Sequence, residues 1–171
     1  MTSIAVFDPG VMSGLVVAEF TPTTLPVILW KEQIPGGMEG IEKVASDESI
    51  SVLDVTVCER FRMTPLARTA EQVEALRCEG AVYAWCKPVV WQYNDQLLIG
   101  GMHDGPTREK RAAANKRAAD NVLQELGLWT TGKQVGYKDA NDVNSAAKHL
   151  IAYLRNIGHE PTLGALNDLV R

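Results

Sequence analysis

Two apolar runs in this chain each stop at an acid: "IAVFD" ends at Asp8 and "VTVCE" at Glu59. Runs this short and this rich in Ile, Val and Phe read as buried strands. Strands buried on both faces belong to sheets covered by helices. Pro9-Gly10 forces a turn directly after the first run, and a second apolar run starts after Ser13-Gly14. If the two acid-ended strands lie side by side and parallel, their C-terminal ends coincide. Asp8 and Glu59 then meet at the rim where α/β sheets bind ligands. Taken singly, an acid at a strand end also reads as the first solvated residue of a loop.

Residues 3–8, 14–20 and 25–34 read as three strands joined by short links, hence antiparallel hairpins. Pro35-Gly36-Gly37 ends the third, and 39–47 reads as a short helix. Residues 51–59 are strand-like. Thr69 and Gln72 form a capping-box pattern that opens a helix running to about Cys86, stopped by Lys87-Pro88. Residues 88–93 make a fifth strand, 100–106 a glycine-rich loop, and Thr107 to Leu126 a long helix ended by Gly127. Residues 130–138 read as polar loop. Val143, Ala146, Ala147, Leu150, Ile151, Leu154 and Ile157 then recur at helical spacing until Gly158. The fold class is α/β: a five-stranded mixed sheet, its first three strands antiparallel, flanked by helices.

With 171 residues, 46% of them hydrophobic and 22% charged, the chain suits one domain spanning 1–171. Glu19 and Lys31-Glu32 keep every apolar run below membrane-spanning length, and no signal-peptide pattern opens the chain. A cytoplasmic location is the expectation. Cys58, Cys78 and Cys86 lack metal spacing and read as reduced, buried thiols. A net charge of -4 does not announce a nucleic-acid binder, although clustered cations override a global balance.

The third acidic element is "KDANDVNSAAKHLIAYL". Asp139 and Asp142 are three apart at a helix start and so share a face, with Asp142 one turn before the packing residue Ala146. Four converging carboxylates repel one another, and a divalent cation relieves that repulsion. Oxygen-only sites suit Mg²⁺ or Mn²⁺. Two such ions about 3.5–4 Å apart can activate a water and stabilise the leaving oxygen of a phosphodiester. The competing reading makes Asp139 and Asp142 an N-cap and its capping-box partner, with no metal.

At this point the residues resemble a family. "FDPGVMSG" resembles the D-P-G-x-x-x-G opening of RuvC-like Holliday junction resolvases, in the ribonuclease H-like superfamily. "VCERF" is similar to their second acidic strand, "ALRCEGAVYAW" to the helix after it, and "KDANDVNSAAKHL" to their closing D-x-x-D helix. The resemblance covers residues 4 to about 154. It implies a ribonuclease H-like fold, with Asp8, Glu59, Asp139 and Asp142 as catalytic, metal-binding acids. It also implies two Mg²⁺ or Mn²⁺ ions per site, a homodimer, and branched DNA as substrate. Residues 94–106 and the acidic balance depart from the family pattern. Divergent members of this kind are associated with bacteriophages, which would place this one in a host cytoplasm, and can be less selective for four-way junctions.

"TREKRAAANKRAA" carries Arg108, Lys110, Arg111, Lys116 and Arg117 against one acid, Glu109; it reads as a phosphate grip or as a solvated helix face. Arg60 and Arg62 follow Glu59 directly. Phe61 between them can stack on an unpaired base or fill the core. Lys133 and Lys138 approach the same rim, as contacts to the scissile phosphate or as ordinary solvated lysines. His149 follows Asp142 by two helical turns, which reads as far from the rim and as a packing or surface histidine; His103 cannot be placed. Gly80, Ala81 and Ala84 permit close approach to a second copy, with Tyr83 and Trp85 to fill it. Two rivals remain at this stage: an actin-like ATP phosphotransferase, which needs a second such domain, and a non-catalytic DNA-binding module of the same fold.

Overall fold

In the computed structural model, residues 1–62, 69–86, 88–93, 98–102 and 104–169 are described. Lys87 and His103 lie outside them. Five strands form one sheet: β1 (Thr2–Asp8), β2 (Met12–Thr21), β3 (Thr24–Pro35), β4 (Val55–Glu59) and β5 (Val89–Gln92), in the order β3-β2-β1-β4-β5. The hairpins β1–β2 and β2–β3 are antiparallel, whereas β1–β4 and β4–β5 are parallel. The two acid-ended strands are therefore neighbours running the same way, as their sequences predict.

Helices cover both faces. On one lie α1 (Gly37–Ala45), α2 (Glu48–Ser51) and α3 (Ala70–Trp85). They pack over Ala5, Phe7, Leu15, Val17 and Cys58, and all three cysteines are buried there as free thiols. On the other face, Ile4, Val6, Val16, Ala18 and Val57 meet α4 (Arg108–Glu125) and α6 (Asn141–Asn156). Strand alternation explains the split: odd positions of β1 feed one core and even positions the other. Asp8 is even, so its side chain stands on the α6 face. No helix among the described residues is long and apolar enough to cross a membrane.

Several boundaries differ from the sequence reading. Strand β4 begins at Val55 rather than 51, because Asp47 caps the short α2 by accepting from the Ser49 N–H at 2.9 Å. The polar stretch 130–138 contains a helical turn, α5 (Gly132–Val135), closed by a Thr131–Gln134 capping box. A final helix, α7 (Glu160–Leu169), follows Gly158 and buries Leu166. The capping box at Thr69 and Gln72 forms as read.

Candidate active site

The site is a row of residues running across the sheet. Asp8 pairs with Gly14 on β2, and Gly14 pairs with Gln33 on β3. One step beyond the Phe7–Cys58 pair, Asp8 stands beside Glu59, and Glu59 pairs with Gln92 on β5. All five strands thus contribute to one polar row, Gln33–Gly14–Asp8–Glu59–Gln92, at the end of the α6-covered core. Gln33, Glu59 and Gln92 are buried and Asp8 is half-buried.

The turn after Asp8 is held by Ser13, whose hydroxyl accepts from the Gly10 N–H at 2.9 Å and donates to the Gly10 carbonyl at 3.0 Å. That closed turn returns the chain as β2 and sets Gly14 opposite Asp8. Gly14 then admits α6: a β-carbon built on it would lie 2.0 Å from the Asp142 carbonyl oxygen and 2.5 Å from the Val143 nitrogen. Only a residue without a side chain lets the start of α6 lie directly on β2.

Helix α6 crosses the sheet along the row instead of running with the strands. Asp142, at its start, accepts a hydrogen bond from the Gln33 amide. Two turns on, His149 Nε2 lies 3.4 Å from Glu59 Oε2. Seven residues of helix rise roughly 10 Å, about the width of two strand spacings, which carries the helix from β2 to β4. This corrects the sequence reading of His149 as far from the rim. It is a buried packing histidine that also faces an acid of the site. Gln33 and Gln92 carry no signal in the sequence that marks them as part of a site.

Burial, the neighbouring Glu59 carboxyl and its charge hold the Asp8 carboxyl well above the usual carboxylate range. Asp142 pushes in the same direction and His149 opposes it. Burial also raises Asp142, against the Gln33 hydrogen bond. His149 is driven down to about 4 by burial, so it is neutral at pH 7.

Asp139 stands apart from this group. It is exposed, precedes α6, and accepts only a long 3.5 Å contact from the Asn141 N–H, while still adding to the Coulomb field at Asp142. The N-cap of α6 is Ala140, with no side-chain cap, so the competing reading of Asp139 and Asp142 as a capping pair does not hold. Among the described residues, no three acid, imidazole or thiol groups are gathered closely enough to form a ready-made cation cage.

Beside the row, a cleft of about 470 Å³ opens between α4 and α6, lined by Asp8, Asp142, Ser145 and Lys148 and, across from them, Lys116 and Asp120. Lys148 pairs with Asp120 and ties the two helices together at its floor. Asn144 pins the segment before α6, exchanging two 2.9 Å hydrogen bonds with the Thr130 backbone. Arg108, Lys110, Arg111, Lys116 and Arg117 all lie on α4 outside the core, and Lys116 reaches the cleft. At the other end of the row, the Arg60 guanidinium lies 5.7 Å over Trp91 and that of Arg62 4.0 Å over Tyr93. Phe61 is half-exposed rather than core, its N–H donating to Glu79 at 2.6 Å. Lys133 and Lys138 are exposed on the segment leading into α6.

No protein-family profile and no curated protein matches the sequence. Solved structures do. RuvC of Thermus thermophilus is 18% identical, with a TM-score of 0.55 over 92% of this chain and 97% of that one. The same protein in complex with a Holliday junction substrate is matched at 14% identity and a TM-score of 0.56, over 93% and 98% of the two chains. Fowlpox virus resolvase in complex with Holliday junction DNA gives 14% identity and a TM-score of 0.59, over 91% and 98%. The chain has the fold of these resolvases along nearly its whole length, with little of their sequence.

Proposed function

We propose that this protein is a divalent-metal-dependent endonuclease that cuts branched DNA. The observation that carries the reading is the row itself. The Asp8 and Glu59 carboxyls lie against one another beneath the start of α6, and burial, that contact and the nearby Asp142 all raise the Asp8 pKa. Two carboxyls held against one another at the edge of the core mark a place where a cation can relieve their repulsion. The donors are all carboxylate oxygens, which fits Mg²⁺ or Mn²⁺. Asp8, Glu59 and Asp142 would hold the ions, with Asp139 joining from solvent. When bound, a pair of such ions supplies an activated water and charge stabilisation of the leaving oxygen.

The rest of the chain binds and orients. The cations of α4 give phosphates a track toward the cleft, and Lys116 carries that charge to the mouth of the acidic row. Arg60, Phe61 and Arg62, with Trp91 and Tyr93, offer a cation-and-ring surface beyond Glu59, where an unpaired base at a branch can stack. Lys133 and Lys138 flank the approach to Asp142. Two of the solved structures of this fold hold Holliday junctions, and a four-way junction is the substrate to try first. A second copy suits α3, where Tyr83 and Trp85 are exposed and Gly80 has open space around it.

The test compares a four-way junction, a flap and a plain duplex, each with Mg²⁺, Mn²⁺ or a chelator. Cleavage of branched over plain DNA that stops with chelation and with Asp8→Asn is expected. Cleavage that survives both would refute the site, and binding with no cleavage under any metal would leave a DNA-binding module.

A further inference from the structure

The polar row has a buried polar partner at each end. Gln33 takes Asp142 at one end, and Gln92 takes His149 at the other. The orientation of Gln92 is fixed by what surrounds it. The Tyr153 N–H, a donor, lies 3.1 Å from one end of the amide, and the His149 carbonyl, an acceptor, lies 3.1 Å from the other. The orientation that satisfies both groups puts the amide oxygen toward Tyr153 and the NH₂ toward His149. That same NH₂ lies 2.9 Å from His149 Nδ1 and donates to it. A neutral imidazole carries one proton, and a ring nitrogen that accepts cannot bear it. The proton therefore sits on Nε2, the atom facing Glu59 Oε2 at 3.4 Å. His149 is fully buried.

We infer that Gln92 and His149 form a relay that sets the tautomer of His149 and aims its Nε2–H at Glu59, holding that carboxylate in the orientation in which it binds a divalent ion. His149 is a positioning residue and touches neither substrate nor metal. The inference rests on the metal-dependent reading above and deepens it. It assigns a function to two residues that packing alone would not require to be polar, since the surrounding face of the sheet is apolar. At 3.4 Å the approach of Nε2 to Glu59 is long for a hydrogen bond. A partner that orients a metal ligand from behind changes metal affinity when removed, typically about 10–100-fold.

The test has two arms. In metal-free wild-type protein, long-range ¹H–¹⁵N spectra report which ring nitrogen of His149 bears the proton; Nε2–H is expected, and Nδ1–H overturns the relay. The second arm measures Mn²⁺ binding in the absence of DNA. His149→Leu should weaken it about 10–100-fold, while His149→Gln, whose amide can place an N–H where Nε2–H stood, should restore most of the loss. A merely structural role predicts lowered melting temperatures in both variants with Mn²⁺ affinity unchanged, and that result overturns the inference alone. Wild-type protein that binds no Mn²⁺ overturns the nuclease reading and the inference with it. Should His149→Leu fail to fold, the tautomer measurement on wild type still decides.

Discussion

Replacing Gly14 with alanine adds a single methyl group at the place where β2 and α6 touch backbone to backbone. The new carbon would sit 2.0 Å from the Asp142 carbonyl oxygen, where ordinary contact begins at 3.4 Å. The first turn of α6 must therefore retreat by about 1.4 Å, because the obstacle is main chain and cannot rotate aside. Asp142 moves with that turn and leaves Gln33 and Asp8. Overpacking of this kind costs about 1–3 kcal/mol, and for a chain of this length each kcal/mol lowers Tm by roughly 2–4 °C. A misplacement of about 1 Å in a catalytic group can cost 100-fold in rate. Gly14→Ala is thus expected to lose a few degrees of Tm and about two orders of magnitude in single-turnover junction cleavage. Gly164→Ala is the control, since a methyl group there meets nothing within 4 Å and alanine favours the helix. Scanning calorimetry and a quenched-flow cleavage assay on both variants make the comparison. A Gly14→Ala protein with wild-type Tm and wild-type cleavage would refute the claim that this glycine seats α6.

Asp8 is held well above its ordinary pKa of 3.8, so the folded state binds its proton more tightly than the unfolded state does. Between the two pKa values the native chain holds more protons, and stability falls as pH rises through that range. Metal-free Asp8→Asn, neutral at every pH, should therefore melt higher than wild type at pH 7–8, and the gap should close toward pH 4; a gap constant across that range would contradict the Asp8–Glu59 pairing. Asp142→Ala leaves the buried Gln33 amide without its acceptor and should cost about 1–3 kcal/mol as well as activity, whereas Asp139→Ala, at an exposed position, should lower cleavage with little change in Tm. Equal Tm losses in the two would contradict the different surroundings that the structure gives these two acids. Neutralising Lys110, Arg111, Lys116 and Arg117 together should flatten the salt dependence of DNA binding by about 0.9 in log–log slope for each phosphate the variant no longer neutralises, and an unchanged slope would make α4 a solvated face only.

What the sequence reveals and what it hides follow from how local each signal is. The boundary from "IAVF" to Asp8, and from "VTVC" to Glu59, is a one-residue event that marks both a strand end and its rim. Short links make the antiparallel hairpins readable, and the parallel β1–β4 pairing follows from the two acids. Gln33 and Gln92 are not readable, because a glutamine in a strand looks the same whether it faces water or a buried acid. Only the pairing register, set by residues far apart in sequence, puts them in line with Asp8. His149 is misplaced by its spacing, because position along a helix gives distance from Asp142 but not direction. The helix runs across the strands, so two turns away from Asp142 is also two strands nearer to Glu59. Gly14 reads as part of a turn motif, while its closest neighbour is the start of α6.

The crossing of α6 over the row also orders the making of the protein. Strands β1, β2 and β3 are consecutive and joined by tight hairpins, so their pairing closes small loops. Asp8 is in place as soon as that meander forms. Its partner Asp142 arrives on α6, only after β4, β5 and α4 have been synthesised. Until α6 settles onto Gly14, the nascent chain has half of an acidic row and no cleft. On the nuclease reading proposed above, docking of α6 onto Gly14 is the step that completes the site.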